Sequence, residues 1–350
     1  MLRVLSNTTR PRNARLPAEI LGRLPAGWHS EALRTQQLPF DGGFQLRAPD
    51  DTASQFVFEV KRTVEPRDVA RLAHELSRAP AGTHALLIAP YLTGRTRELL
   101  RERGISHADR TGNLWLSAGS IYIERAGNAR GPSRRAAHAS DEGSSRRSLR
   151  GPRSGRIIRY LCDHAAPFRV RAVATATHVD PGTVSRVVQL LEREAFVHRE
   201  NAAIVHVDRR ALIVRWGEDL AKDRVTESYL APRGIDDVRA RLKRVALPYA
   251  LTGSSGAAAY APVAFPGTLD IYVADFDFAV QALALRDDAG VGNVRLIEAF
   301  DRVVFEGTTS ADAVVVAAPV QIAADLVTLP HRSSDELDAM LDWIDRNAPR

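Results

Sequence analysis

Three stretches between residues 153 and 207 carry apolar side chains at helical spacing, and a hairpin pattern follows them. Apolar residues three or four positions apart share one face of a helix, so the pattern predicts three successive helices. The predicted buried positions are Ile157, Ile158, Leu161 and Cys162 in the first helix, Val170, Val173 and Ala174 in the second, and Val184, Val187, Val188, Leu190 and Leu191 in the third. Phe196, Val197 and the apolar run 204–207 around Asn201 predict a two-stranded hairpin.

The third predicted helix has a clear start and a polar face. Asp180 is a good N-cap, and Pro181 fits the first helical position, where no amide hydrogen is needed. Three helices and a hairpin with this entry are typical of a winged helix-turn-helix, whose third helix enters the major groove of double-stranded DNA. The alternative is a module that serves packing alone. The predicted DNA contacts are Arg169, Arg171, Thr183, Ser185, Arg186 and Gln189.

Residues 1–125 predict an α/β unit. Strands at 44–47 and 56–60 join through the turn sequence P-D-D-T-A-S to form a hairpin. Helices are predicted at 66–78 and, behind the N-cap Thr93, up to residue 103. The remaining predicted elements are a helix at 17–24, strands at 85–89, 105–107, 114–116 and 121–123, and a tight turn at D-R-T-G-N, residues 109–113.

The strand sequence V-F-E-V-K-R at 57–62 resembles the E-x-K strand of PD-(D/E)xK restriction-endonuclease-like nucleases. The resemblance implies that Glu59 and an upstream aspartate bind Mg²⁺, while Lys61 polarises the attacking water. Asp50 follows a proline, as in the motif, but falls in the predicted turn, and Asp41 is the acid nearest to the first strand. The family's hairpin has its aspartate near Phe44, so we expect the fold without cleavage.

Residues 126–153 contain Gly, Ser, Arg, Ala and Pro and almost no apolar side chains to bury. This composition predicts a flexible basic linker. Arginines in such a segment neutralise DNA phosphates, and Arg146, Arg147 and Arg150 are the predicted contacts. A tether that only joins two domains is the alternative.

Charge is unevenly distributed along the chain. The net charge of +6 divides into +12 for residues 1–207 and −6 for residues 208–350, which predicts a nucleic-acid-facing front and a back that binds another partner. The sequence shows no apolar run of membrane-spanning length, and its first 17 residues lack the apolar core that is expected of a signal peptide. Its single cysteine excludes an intrachain disulfide. We therefore expect a cytoplasmic protein that needs no cofactor, or only Mg²⁺ if the nuclease-like site is active.

The C-terminal third predicts a further α/β domain. Gly253 and Ser254, followed by the strand T-L-D-I-Y-V-A-D at 268–275, resemble the opening of a nucleotidyltransferase fold. The resemblance implies a nucleotide site at Gly253 and Ser254 with Asp270 as a metal ligand. The family's second acid falls on Tyr272, and one carboxylate holds a metal pair poorly. We therefore expect a scaffold without transfer chemistry.

The order of these parts resembles the AbiEi-like antitoxins of type IV toxin–antitoxin systems, over residues 154–344. Those proteins are winged-helix regulators with a nucleotidyltransferase-like C-terminal domain, and a restriction-like domain in front resembles that of other bacterial regulators. The resemblance implies a sequence-specific transcriptional regulator. A narrower version of this expectation is an autoregulating antitoxin. The alternative is a metal-dependent nuclease targeted by its winged helix.

The predicted α/β multidomain chain comprises a restriction-endonuclease-like domain (1–125), a linker (126–153), a winged helix-turn-helix (154–209) and a nucleotidyltransferase-like domain (210–350). The acidic C-terminal domain is the place expected for a protein partner or a nucleotide effector. The sequence leaves open whether the protein forms a homodimer, and which metal, if any, it binds.

Overall fold

The computed structural model describes residues 24–33, 40–127, 148–263, 266–287, 290, 292–328 and 334–347. The chain divides into two compact units, residues 1–146 and 147–350. The predicted helix at 17–24, except its last residue, and residues 128–147 of the predicted linker, with Arg146 and Arg147, lie outside the described residues. None of the helices that the structure describes is long and apolar enough to cross a bilayer.

The first unit contains a seven-stranded mixed sheet whose strands follow one another in chain order. They are β1 (His29–Ala32), β2 (Gly42–Arg47), β3 (Ala53–Val60), β4 (Thr83–Ala89), β5 (Ser106–Asp109), β6 (Leu114–Ala118) and β7 (Ile121–Arg125). Strands β3, β4 and β5 pair in parallel, whereas the other neighbours are antiparallel. Parallel neighbours need a crossover, and helices α1 (Val69–Leu76) and α2 (Gly94–Glu102) form these two connections.

Local sequence accounts for both helices of the first unit. Helix α1 follows a short 3-10 turn at Pro66–Asp68, so it is shorter at both ends than the helix predicted at 66–78. In α2, the Thr93 hydroxyl oxygen accepts a hydrogen bond from the Thr96 amide at 3.1 Å, which confirms the predicted N-cap.

The second unit begins with three helices and a small sheet. These elements are α3 (Pro152–Asp163), β8 (Phe168–Arg169), α4 (Val170–Thr177), α5 (Pro181–Arg193), β9 (Val197–Glu200) and β10 (Ala203–Val207). The apolar positions predicted for the three helices are buried, apart from the half-buried Val170. The sequence pattern did not predict β8, which pairs with β10 and turns the hairpin into a three-stranded sheet.

The rest of the second unit surrounds another mixed seven-stranded sheet, in the order β14-β11-β15-β13-β12-β17-β16. Its strands are β11 (Thr226–Leu230), β12 (Tyr249–Thr252), β13 (Leu269–Val273), β14 (Arg286–Asp287), β15 (Val294–Glu298), β16 (Thr309–Ala311) and β17 (Val314–Val316). The helices are α6 (Arg209–Leu220), α7 (Ile235–Leu242), α8 (Gly253–Ala257), α9 (Phe276–Leu283), α10 (Pro319–Leu326) and α11 (Ser334–Asn347). Every residue of the central strand β13 is buried.

One hydrophobic core runs through the second unit, from the three-helix region to the C-terminal sheet. Helix α6 joins the two parts, because its Trp216 is fully buried in that core. A side chain at Gly217 would collide with the carbonyl of Ala324, so glycine permits the close approach of α6 to α10. The regions predicted as separate domains at 154–209 and 210–350 therefore share one compact unit.

Candidate nucleic-acid interface

Helix α5 separates its buried and polar faces sharply. Val184, Val187 and Val188 are buried in the core, whereas Arg186 and Gln189 are exposed. Thr183 and Ser185 are half-buried near the start of the helix. An Arg186 Nη2–H group donates to the Thr183 hydroxyl at 2.8 Å, which holds the guanidinium beside the first helical turn.

The N-terminus of α5 is fixed by its own cap. The Asp180 carboxylate accepts a hydrogen bond from the Thr183 amide at 2.8 Å, as the sequence predicted. Hydrogen bonds from the side chain and the backbone of Thr183 lower the pKa of Asp180 below its usual value, and Arg153 and Arg186 add to this effect. Arg153 is therefore a basic group near the start of α5. Sequence reasoning missed this residue because it lies at the end of the predicted linker.

Arg169 and Arg171 lie on either side of the start of α4, and both are exposed. Arg169 belongs to β8 and pairs with Ala203 of β10, so the strand pairing ties it to the hairpin. At the hairpin turn, Asn201 adopts a positive φ of 48°. The structure thus brings an arginine-bearing strand, the polar helix α5 and the hairpin into one small module.

Arg150 belongs to a different surface. Its guanidinium lies 3.5 Å from the Asp223 carboxylate, just beyond α6, and both side chains are about half exposed. The neighbouring Leu149 is buried and donates its amide hydrogen to Asp219 at 2.8 Å. The predicted linker therefore ends as an ordered segment on α6. Among the three predicted linker contacts, Arg150 alone lies in the described part of the chain.

The E-x-K strand places Glu59 and Lys61 at the end of β3. The Lys61 ammonium lies 2.8 Å from Glu59 and 3.7 Å from Glu75 of α1. Asp41 reaches the same strand end, because its carboxylate accepts the Val60 amide hydrogen at 2.8 Å. Glu59 and Glu75 are thus ion-paired with Lys61, and Asp41 is hydrogen-bonded to the Val60 amide. All three carboxylates therefore already have a partner within the unit.

Asp50 is at the other end of the same hairpin, before β3 begins. Its carboxylate accepts the Thr52 amide at 3.0 Å, and this bond lowers the pKa of Asp50 below its usual value. The structure therefore separates Asp50 from Glu59 and Lys61, and it brings Asp41 towards them. Within the described ranges, no group of three or more His, Cys, Asp or Glu side chains is arranged to hold a metal ion.

The D-R-T-G-N sequence forms a tight turn around the buried Asp109. The Asp109 carboxylate accepts hydrogen bonds from the Thr111 amide at 2.8 Å and from the Asn113 side chain at 2.8 Å, and it also accepts the Leu92 amide at 3.2 Å. Arg97 in turn donates to Asn113 at 2.8 Å. These internal bonds give the motif a structural role in joining β5 to β6.

The three residues implied by the nucleotidyltransferase resemblance come together near β12 and β13. Gly253 has a positive φ of 55° directly after β12, and the Ser254 hydroxyl donates to Glu336 at 2.6 Å. Asp270 lies opposite the last residue of β12 and forms an ion pair with Arg295. Burial raises the pKa of Asp270 above its usual value, and Arg295 opposes that rise.

Beside them, Asp325 of α10 is completely buried in a polar network. Arg224 donates to its carboxylate at 2.6 Å, Tyr272 at 2.8 Å and Thr252 at 2.5 Å. Burial and Asp325 raise the pKa of Tyr272 well above its usual value, so the phenol stays protonated and donates. Asp270 and Asp325 are each paired with an arginine, an arrangement that does not fit a pair of catalytic Mg²⁺ ions. Sequence reasoning missed Arg224, because 101 residues separate it from its partner.

Comparison with known proteins identifies no family for this chain. No protein-family model matches it, and no curated protein does. Among solved structures, the chain is similar to that of EndoMS in its apo form, with 19% sequence identity and a TM-score of 0.18. The similarity covers 29% of this chain. It spans about half of the EndoMS chain, 47% of its length.

Proposed function

We propose that the protein is a sequence-specific transcriptional regulator that binds double-stranded DNA through α5. The observation that carries this proposal is the exposed pair Arg186 and Gln189 on a capped helix whose opposite face is buried. Arginine pairs with the edge of guanine and glutamine with the edge of adenine, so this face offers two base-reading side chains.

The surroundings of α5 support the same proposal. Exposed Arg169 and Arg171 are suited to phosphate contacts, which position a protein on DNA without reading its sequence. The hairpin β9–β10 stands where a wing is expected, directly after the recognition helix. The basic excess of residues 1–207 adds an attraction for DNA that does not depend on sequence.

The test is a binding experiment with the full chain. A duplex selected by the purified protein from a random-sequence library serves as the ligand. Replacing Arg186 or Gln189 by alanine should weaken binding to this duplex by about 1–3 kcal/mol each, because each removes a base-reading group. Binding at full strength by the double variant would contradict the recognition-helix assignment. Arg233→Ala, an exposed arginine before α7, is the matched control and should bind normally.

A finer form of the proposal is an autoregulating antitoxin of the AbiEi-like type. The order of the winged-helix module, the glycine–serine turn at Gly253 and the buried helix α10 supports it. An autoregulator would select a duplex that occurs in the promoter of its own operon.

The second candidate function is metal-dependent DNA cleavage, which the position of Asp41 favours. We expect no cleavage with Mg²⁺ or Mn²⁺, since Lys61 is engaged with Glu59 and the Asp41 carboxylate with the Val60 amide. A plasmid-nicking assay measures this. Cleavage that disappears in both Lys61→Ala and Asp41→Ala would establish the nuclease instead.

A further inference from the structure

Thr183 and Arg186 lie one turn apart on the polar face of α5, and a hydrogen bond joins their side chains. An Arg186 Nη2–H group donates to the Thr183 hydroxyl oxygen at 2.8 Å. Long side chains on a helix point back towards its N-terminus, and this bond fixes the guanidinium there, beside the first turn. In a helix-turn-helix, this end of the recognition helix is the part that contacts base edges.

Thr183 is itself held from the other side, by the cap of the helix. Its amide donates to the Asp180 carboxylate at 2.8 Å, and hydrogen bonds from its side chain and its amide lower the pKa of Asp180 below the usual value. A hydroxyl group has a hydrogen to donate and lone pairs to accept, so that of Thr183 bonds to Asp180 and to Arg186 at once. The three side chains therefore form a chain of hydrogen bonds along the first turn.

The guanidinium of Arg186 remains available to a ligand. The side chain is exposed, and no described carboxylate forms an ion pair with it. The bond to Thr183 uses one N–H group of the guanidinium and leaves the others for a ligand. An exposed arginine loses conformational freedom when it binds, and an arginine that is already held in its binding orientation loses less. The hydroxyl of Thr183 thus preorganises Arg186 without neutralising its charge.

We propose that Thr183 is a positioning residue that aims Arg186 at a guanine of the bound DNA. The inference rests on the proposed function, binding of double-stranded DNA through α5, and adds the residue that orients the guanidinium and the arrangement of bases that results. In the major groove, guanine presents two neighbouring acceptors, N7 and O6, and a guanidinium donates to both. These acceptors have a fixed direction, so a guanidinium held in one orientation discriminates better than a mobile one.

The position of Gln189 determines where a second base should lie. Gln189 is exposed and follows Arg186 by three residues, so their Cβ atoms are about 5–6 Å apart. Base pairs of B-DNA are stacked about 3.4 Å apart, and glutamine pairs with the edge of adenine. We therefore expect an adenine about one or two base pairs from the guanine in the selected duplex. A duplex without an adenine at that distance would overturn this arrangement.

The experiment uses the full chain, the duplex that it selects, and copies of this duplex in which 7-deazaguanine replaces each guanine in turn. This base has a carbon in place of N7, so it lacks one acceptor and still pairs with cytosine. At the guanine that Arg186 contacts, the replacement should weaken binding by the wild type about tenfold. Arg186→Ala should bind both duplexes equally, because the group that contacts N7 is gone.

Thr183→Val and Thr183→Ser are the matched pair of variants. Valine keeps the shape of threonine without the hydroxyl, serine keeps the hydroxyl, and both keep the amide that caps the helix with Asp180. Thr183→Val should reduce the effect of 7-deazaguanine from about tenfold to about twofold, whereas Thr183→Ser should retain it. Urea titration should give the same midpoint for the two variants, which shows that the hydroxyl is not needed for folding.

A double variant separates positioning from a direct contact. In the Arg186→Ala background, Thr183→Val should weaken binding no further, because a positioning residue acts only through the group that it positions. A further loss in that background would overturn the positioning role, since Thr183 would then contact DNA by itself. An effect of 7-deazaguanine that stays at full size in Thr183→Val would overturn it as well.

The base assignment can fail separately from the proposed function. If no 7-deazaguanine weakens binding by the wild type, the guanine assignment is wrong. A shallower negative slope of log affinity against log salt in Arg186→Ala would then assign this residue to a phosphate. Failure to select any duplex would instead overturn the proposed function on which the inference rests.

Discussion

The polar face of α5 and the network around Asp325 lie in the same compact unit and differ in one decisive respect. Arg186 and Gln189 are exposed on a helix that the core already holds in place. Asp325 is completely buried, and its oxygens accept hydrogen bonds from Arg224, Tyr272 and Thr252. The two side chains of α5 are therefore available to a ligand, whereas the polar groups around Asp325 already have partners within the fold.

This difference separates residues that resemble a site from residues that can act as one. Asp270 has the residue type that the sequence predicted for a metal ligand, but it is paired with Arg295. Glu59 is similarly paired with Lys61. A metal bound to Asp270 would have to displace Arg295, at the cost of leaving that largely buried guanidinium unpaired. The availability of a side chain therefore weighs more than its place in a motif.

The largest effect is expected from breaking the buried network. Asp325→Ala leaves Arg224, whose side chain is only 7% exposed, without its carboxylate partner. Removing one partner of a buried ion pair costs about 3–5 kcal/mol, so the free energy of unfolding should fall by that amount. Urea titration of the full chain measures it.

Two variants sharpen this result. Glu218→Ala, an exposed acid on α6, should change stability by less than about 0.5 kcal/mol. The double change Arg224→Met and Asp325→Leu should recover part of the loss, because no buried charge then lacks a partner. A stable Asp325→Ala variant would show that the network is not needed for folding and that its residues are free for another role.

The buried His107, in the first unit, predicts that the free energy of unfolding depends on pH. Burial lowers the pKa of His107 from 6.5 to about 4, so the folded chain keeps the ring neutral while the unfolded chain protonates it. The stabilisation is complete above pH 6.5 and is lost as the pH falls towards 4, by about 3 kcal/mol.

Urea titrations at pH 7, 5.5 and 4.5 test this dependence. The difference in stability between the wild type and His107→Gln should shrink or reverse towards pH 4.5. His74→Gln on α1 serves as the exposed control. A His107→Gln chain with the same pH dependence as the wild type would show that folding does not lower the pKa of this ring.

Sequence reasoning succeeded where the interactions are local. The start of α5 is determined by Asp180 and Pro181, which act within a single turn, and its buried face follows from spacing alone. The strand β8 could not be predicted, because two residues become a strand only by pairing with β10. The ion pair between Arg224 and Asp325 could not be predicted for the same reason, because it forms only when distant segments of the chain come together. The choice between Asp41 and Asp50 depended on the hairpin, which places them at opposite ends of β3.

The smallest effect is expected from replacing the exposed arginines beside α5. This effect distinguishes contacts to phosphates, which position a protein on DNA, from contacts to bases, which read its sequence. Each arginine that neutralises a phosphate releases counterions, so log affinity falls with log salt, and each lost contact should make this negative slope shallower by about 0.9. Arg169→Ala and Arg171→Ala should each do so equally on the selected duplex and on a scrambled one, since a phosphate carries no sequence information. Arg186→Ala should instead reduce the difference between the two duplexes, and Arg233→Ala should alter neither quantity. An unchanged slope in the Arg169/Arg171 double variant would remove both residues from the proposed interface. A loss confined to the selected duplex would give them the base-reading role that we propose for Arg186.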